Sequence, residues 1–160
     1  MGKIVVGIDG SEESARALDW AVDEAQLRGL RLEVVYAYDH QPEWLRYGPP
    51  PTLTLEGLAL EDIERSRAQP GAPSPEEVGR EHAEALLRSM LTEDVGRKGV
   101  KVQRTVADEQ KPAPFLVERS QDAELLVVGS RGRGSVGSML LGSVSTHCVH
   151  HASCPVVVIK

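Results

Sequence analysis

The chain has no long apolar run. Nothing in it approaches the about 18 residues that a membrane-crossing helix needs, and its first residues carry no apolar signal core. A soluble, cytoplasmic protein without membrane contact is the expectation. Cysteine is scarce, and two residues cannot build a disulfide framework. Aromatic residues make up 4% of the sequence, too few to offer stacking platforms to single-stranded nucleic acid. Positive charge is not in excess either. Eighteen Lys and Arg against 24 Asp and Glu leave a formal charge of −6, which excludes a nucleic-acid partner held by a basic surface. A Walker phosphate loop is absent, since no Gly-Lys-Ser or Gly-Lys-Thr triplet occurs.

What is present is an alternation of strand and helix patterns. At 160 residues it fits one domain, residues 1–160, with room for a sizeable core. Lys3 to Ile8 is mostly apolar and β-branched, as a strand covered on both faces should be. Asp9-Gly10-Ser11 reads as a turn, with Ser11 as N-cap and Glu12 and Glu13 in the first turn of a helix. Ala15, Leu18, Val22 and Ala25 share one face of that helix, and Gly29 suits its C-cap. A second strand is predicted over Leu32 to Tyr38 and a third over Val100 to Ala107. Between them, Asp39 to Ser74 is rich in proline and reads as a long variable connection, with a mobile flap or partner site as the sharper alternative. Ser74-Pro75-Glu76-Glu77 then starts a helix carrying Ala83, Leu86, Leu87, Met90, Leu91 and Val95 on one face. A short helix is predicted over Lys111 to Gln121, a strand ending at Val128, a last helix over Ser143 to Ala152 and a last strand over Pro155 to Ile159. Such alternation predicts an α/β protein with a mainly parallel sheet and helices on both faces.

The chemistry concentrates in Gly129 to Ser145, where a buried strand runs into a glycine-rich loop and then a helix. Glycines let the backbone approach an anion, and the first N–H groups of a helix have no internal partner. Ser130, Ser143 and Ser145 add hydroxyls, and Arg131 and Arg133 add charge. Gly132-x-Gly134-x-x-Gly137 matches a dinucleotide fingerprint literally, but the following strand region, His151 to Ile159, holds no Asp or Glu to bind a ribose.

Gly-x-x-Gly, then nine residues, then Gly-Ser resembles the ATP-binding signature of the universal stress protein family; here it is Gly129-x-x-Gly132 followed by Gly142-Ser143. The opening Lys3-Ile4-Val5-Val6-Gly7-Ile8-Asp9-Gly10-Ser11 and the closing Cys154-Pro155-Val156-Val157-Val158-Ile159 are similar to that family too. The resemblance implies five parallel strands in the order 3-2-1-4-5, a Rossmann-like sandwich of the adenine nucleotide alpha hydrolase kind. Ligands of such sheets bind beyond the carboxyl ends of the strands where the strand order reverses, here between strands one and four. It further implies ATP, with Mg or Mn on its phosphates. Gly129, Ser130, Arg131, Gly132, Arg133, Gly134, Gly142, Ser143, Val144 and Ser145 form its phosphate side, although Arg133 can equally point to water. By the same resemblance Asp9, following Ile8, contacts the ribose or the metal–phosphate side, Ala37 touches adenine through its backbone, and Gly7 and Val128 wall the base and ribose pocket. For Asp9 the plainer alternative is a turn-former, and for Gly7 and Val128 ordinary strand packing.

His147, Cys148, His150, His151 and Cys154 invite a metal reading, with His147 and His151 one helical turn apart. Packing of Cys148 and solvation of histidines at a helix C-terminus explain them more simply, so no protein metal ligand is assigned. The apolar strand Val156–Ile159 is expected, by the family resemblance, to pair with its own copy in a homodimer. The function implied is a nucleotide-dependent regulatory protein of the stress response with an unidentified protein partner. The alternatives are a slow ATPase or phosphotransferase and a nucleotide-free interaction module. Fast phosphoryl transfer is disfavoured, because no Walker lysine, paired carboxylates or placed base stand near the loop. Adenylating pyrophosphatases of similar fold carry Ser-Gly-Gly-x-Asp-Ser where this chain has Asp9-Gly10-Ser11-Glu12-Glu13-Ser14, without the first residue and the second glycine.

Overall fold

The computed structural model describes residues 2–37, 84–85, 87–91, 98–107, 111–132 and 141–160. The predicted connection at 39–74, the Ser74 helix start, and Arg133 and Gly134 lie outside the described residues. The elements are β1 (Lys3–Ile8), α1 (Glu12–Arg28), β2 (Arg31–Ala37), β3 (Val102–Ala107), α2 (Pro112–Arg119), a 3-10 turn (Ser120–Asp122), β4 (Leu125–Gly129), α3 (Ser143–His151) and β5 (Val156–Ile159). The five strands form one sheet in the order β3-β2-β1-β4-β5, every neighbouring pair parallel. That is the predicted architecture. Among the described residues no helix is long and apolar enough to cross a membrane.

β1 lies at the centre and is covered on both sides, which is why it reads as a nearly continuous apolar run. Its alternate residues serve two cores. Ile4, Val6 and Ile8 join Leu32, Val34, Tyr36, Leu125 and Val127 under Ala17, Leu18, Ala21, Val22 and Ala25 of α1. Leu87 closes the same core, with Met90 and Leu91 packed against it, so this predicted helix face does meet the sheet. On the other side Val5, Val35, Leu126 and Val128 pack with Leu116 of α2 and Cys148 of α3. A Cβ on Gly7 would stand 2.8 Å from Leu116 Cδ1, so the missing side chain lets α2 settle onto β1. α1 begins and ends as predicted. The Ser11 side chain accepts a bond from the Ser14 N–H, and Gly29, at φ 65°, adopts the left-handed C-cap conformation that glycine favours.

The amino-terminal end of the sheet carries a buried charge cluster that the pattern of apolar residues does not announce. Lys3 and Glu33 are 2% and 1% exposed and pair at 2.8 Å. Lys3 also pairs with Asp122 at 2.6 Å, and Arg119 with Glu33 at 2.5 Å. The Thr105 hydroxyl donates to the same Glu33 carboxylate at 2.9 Å. Burial pushes the Glu33 carboxyl up, but hydrogen bonds from Lys3, Thr105 and Arg119, with the charge of Arg119, outweigh it and hold the group below the usual carboxylate range. The network ties β1, β2 and β3 to the end of α2 and the turn after it.

Removing one member of a buried, bonded charge group leaves the others uncompensated, so Glu33→Gln should cost about 3 kcal/mol at neutral pH, read by urea unfolding. A carboxyl held low in the folded state stabilises in full above its unfolded pKa. That contribution fades as pH falls through the folded value. Wild type and variant should therefore converge in acid. A constant gap down to strongly acid pH would show that Glu33 acts through packing alone.

Candidate functional site

The strand order reverses at β1, whose neighbours are β2 and β4. Their carboxyl ends lie together, because Gly7 is level with Val128 and Ile8 with Tyr36. Ala37 follows at the end of β2, beside Ala107 of β3. The predicted residues at Ile8-Asp9, Ala37 and Val128-Gly129 thus come to one edge of the sheet, as the topology requires. Ile8 and Val128 are both buried, on opposite faces, and each belongs to its own core.

Asp9 is fixed by the turn it starts. Its Oδ1 accepts from the Ser11 N–H at 2.9 Å and from the Ser11 hydroxyl at 2.6 Å. Ser14 completes the turn: its hydroxyl donates to Ser11 O at 2.9 Å and accepts from the N–H groups of Asp9 and Gly10 at 3.3 and 3.2 Å. Gly10, at φ 83°, supplies the left-handed residue that this tight loop needs. Both readings of Asp9 therefore have a physical basis in one side chain. Oδ1 builds the turn, and Oδ2 faces Gly132, where any Cβ would collide with it. Gly129 is crowded in a similar way, since a Cβ there would lie 3.0 Å from Glu13 Cβ and 3.1 Å from Ser14 N. The first turn of α1 and the loop after β4 are in direct contact.

The route from β4 into α3 is pinned by backbone bonds. Ser130 N–H donates to Ile159 O at 2.6 Å, and Gly142 N–H donates to Ser130 O at 2.7 Å. The Ser145 hydroxyl, 3% exposed, lies 3.1 Å from both Ser130 O and Gly142 O. Its proton is directed at the loop's own carbonyls, so Ser145 is placed to hold the loop closed on the helix. Ser143 is exposed at the first position of α3, Val144 is half-buried beside it, and Arg131 and Gly132 are half-buried at the loop's start.

The two helix N-termini at this edge differ in charge. α1 has a side-chain cap and two glutamates in its first turn. α3 starts at Gly142 with no side-chain cap and no acid in its first turn. Among the described residues no side chain caps its first N–H groups or neutralises the positive end of its dipole. Gly142 has φ −72° and ψ 167°, open to any residue, and a Cβ there would meet nothing nearer than 3.5 Å. The fold itself does not require glycine at 142, unlike at 132.

The histidine and cysteine cluster sits at the far end of α3. Burial pushes the Cys148 thiol up to about 11 and raises Cys154 as well, so both are poor thiolates. Both are free cysteines. Among the described residues no group of three or more His, Cys, Asp or Glu side chains converges as a metal site. Sequence reasoning singled out Asp9 and the glycines but not Ser14, whose hydroxyl organises the turn, nor the charge cluster at the opposite end. The signal for Ser14 was its place three residues after the N-cap; for the cluster it was Lys3 and Glu33, ionic residues inside apolar strands.

The whole chain, residues 1–160, matches the family model described as the universal stress protein family. A universal stress protein of Mycobacterium tuberculosis is 34% identical over 164 residues, covering 100% of this chain and 48% of that protein. The chain thus spans about half the length of the curated relatives it matches. Among solved structures, a universal stress protein in complex with cAMP superposes with TM-score 0.61 and 23% identity, covering 99% of this chain and 96% of that one. A universal stress protein from Archaeoglobus fulgidus in complex with dAMP gives TM-score 0.61 and 22% identity, covering 100% and 98%. These likenesses at low identity bear on the fold.

If Ser145 holds the loop, Ser145→Ala should destabilise the protein by about 1–2 kcal/mol in chemical denaturation, the range for removing a buried donor. An unchanged midpoint would show that the two carbonyls are satisfied without it.

Proposed function

The chain belongs to the universal stress protein family, and from that premise we propose that it binds an adenine nucleotide, ATP, at the edge formed by β1, β4 and the N-terminus of α3. The observation that carries this reading is the contrast at that edge. α1 is capped and faced with its own acids, while α3 presents uncapped N–H groups behind a loop whose Gly132 leaves room only for the Asp9 carboxylate. Phosphate oxygens fit the N-terminus of α3, with Ser143 and the amides that follow as donors. Asp9 Oδ2 stands beside that position, suited to a ribose hydroxyl or to a Mg or Mn ion riding on the phosphates. Arg131 adds charge at the loop's start, and the end of β2 at Ala37 offers backbone to the base. The cAMP and dAMP carried by two structural neighbours point to the same ligand class.

The protein acts as a nucleotide-dependent regulator of the stress response in this reading, with occupancy altering a surface that a partner protein reads. A homodimer through β5 belongs to the same proposal. Val156–Ile159 is half-buried along its length and, among the described residues, pairs with β4 alone, which leaves its other edge for a second strand.

Protein purified without added nucleotide and then denatured should release an adenine compound, and added ATP should remain bound and uncleaved over time. Turnover at about 1 s⁻¹ or faster would instead mark an enzyme. Gly142→Val should abolish ATP binding while costing about 1 kcal/mol or less in stability, because its Cβ meets no crowding in the fold. Gly132→Val should abolish binding and also displace Asp9. Full ATP affinity in both variants would remove the loop from the site.

A further inference from the structure

One cluster takes no part in the nucleotide edge. His147, His150 and His151 occupy the last turns of α3, His147 half-buried and the other two exposed. The ring centroids of His147 and His151 are 4.4 Å apart, with the planes inclined at 44°. Those of His150 and His151 are 6.3 Å apart. Two imidazoles bound side by side to one zinc ion, with Zn–N bonds of about 2.0–2.1 Å, bring their ring centres to about 4–5 Å. The spacing of His147 and His151 is close to that of a chelating pair, and their positions one helical turn apart keep both on one face.

We propose that His147 and His151 form a bidentate surface site for a divalent transition ion that favours imidazole, zinc being the ion to test. Water completes the coordination, in keeping with the absence of a third converging ligand among the described residues. The cysteines are not ligands: Cys148 is buried in the second core, and burial keeps Cys154 from ready ionisation. The ring geometry, not available from sequence, changes the balance from solvated histidines toward a site. The helix is already tied down where the ion would sit. Ala152 N–H donates to Cys148 O at 2.9 Å, and Ser153 N–H donates to the Ser120 hydroxyl at 2.9 Å. An ion bridging positions 147 and 151 would add a second clasp to the same turn and leave the rest of the chain as it is.

The test is a zinc titration of the nucleotide-free full chain, in competition with a chromophoric indicator, beside the same measurement on five variants. One ion per chain is expected. His147→Asn and His151→Asn should each weaken it by about tenfold or more, because loss of one ligand removes the effective concentration of the other. The His147→Asn/His151→Asn double variant should be little worse than either single. His150→Asn and Cys154→Ser should keep wild-type affinity. With Cu(II) in place of zinc, electron paramagnetic resonance should count two imidazole nitrogens in wild type and one in either single variant. Zinc should also raise the melting temperature of wild type but not of those two variants. No zinc binding in wild type overturns the proposal, as does binding at undiminished affinity in either single variant or binding that disappears in His150→Asn or Cys154→Ser. Because these side chains are exposed or half-exposed, unfolding does not confound the comparison.

Discussion

The loop leaving β4 packs against the start of α1 because it lacks side chains where the two cross. At Gly129 a Cβ would press on Glu13 and on the Ser14 amide; at Gly132 it would occupy the place of the Asp9 carboxylate. These are constraints of volume and not of backbone angle. They bring a turn from the beginning of the chain against a loop more than a hundred residues later, and they do so with backbone on one side and an oriented carboxylate on the other.

Around that contact the protein arranges its electrostatics unevenly. The N-terminus of α1 is saturated by Ser11, Glu12 and Glu13, and Ser11 and Ser14 together lock Asp9. Among the described residues the N-terminus of α3 has no side-chain cap and no acid in its first turn, while Ser145 and the Gly142–Ser130 bond tie the start of α3 to the end of β4.

The opposite end of the sheet solves a different problem. Lys3, Glu33, Arg119 and Asp122 alternate in sign around Thr105, so that two nearly inaccessible charges each have an ionic partner. Arg119 Nε alone among the described side-chain atoms is buried without an acceptor. Such a cluster fixes which strand lies beside which, because a shift in register would strand a charge among apolar groups. The opposite, carboxyl edge is built from glycine and short polar residues instead.

The order of strands and helices was written in the sequence, because apolar runs and caps are local signals: Lys3–Ile8 as a central strand, Ser11 and Gly29 as the bounds of α1, and Leu87 with Met90 and Leu91 as a core face were all legible there. Some ends moved by a residue or two, as at Lys111 to Gln121, where the regular helix stops at Arg119 and gives way to a 3-10 turn. Ala15 also proved less buried than Ala17 and Ala21, since the stripe facing the sheet is rotated from the one first read. The glycines were legible as well, but not which of them the fold needs. Only the packed structure separates Gly132, blocked by Asp9, from Gly142, where a Cβ would make ordinary contacts. Likewise only the structure could join Lys3 to Glu33 and Arg119, or set two histidine rings at a chelating distance. Periodicity and capping act within one element and so can be read along the chain, whereas volume, charge pairing and ring placement depend on which elements the parallel sheet brings side by side.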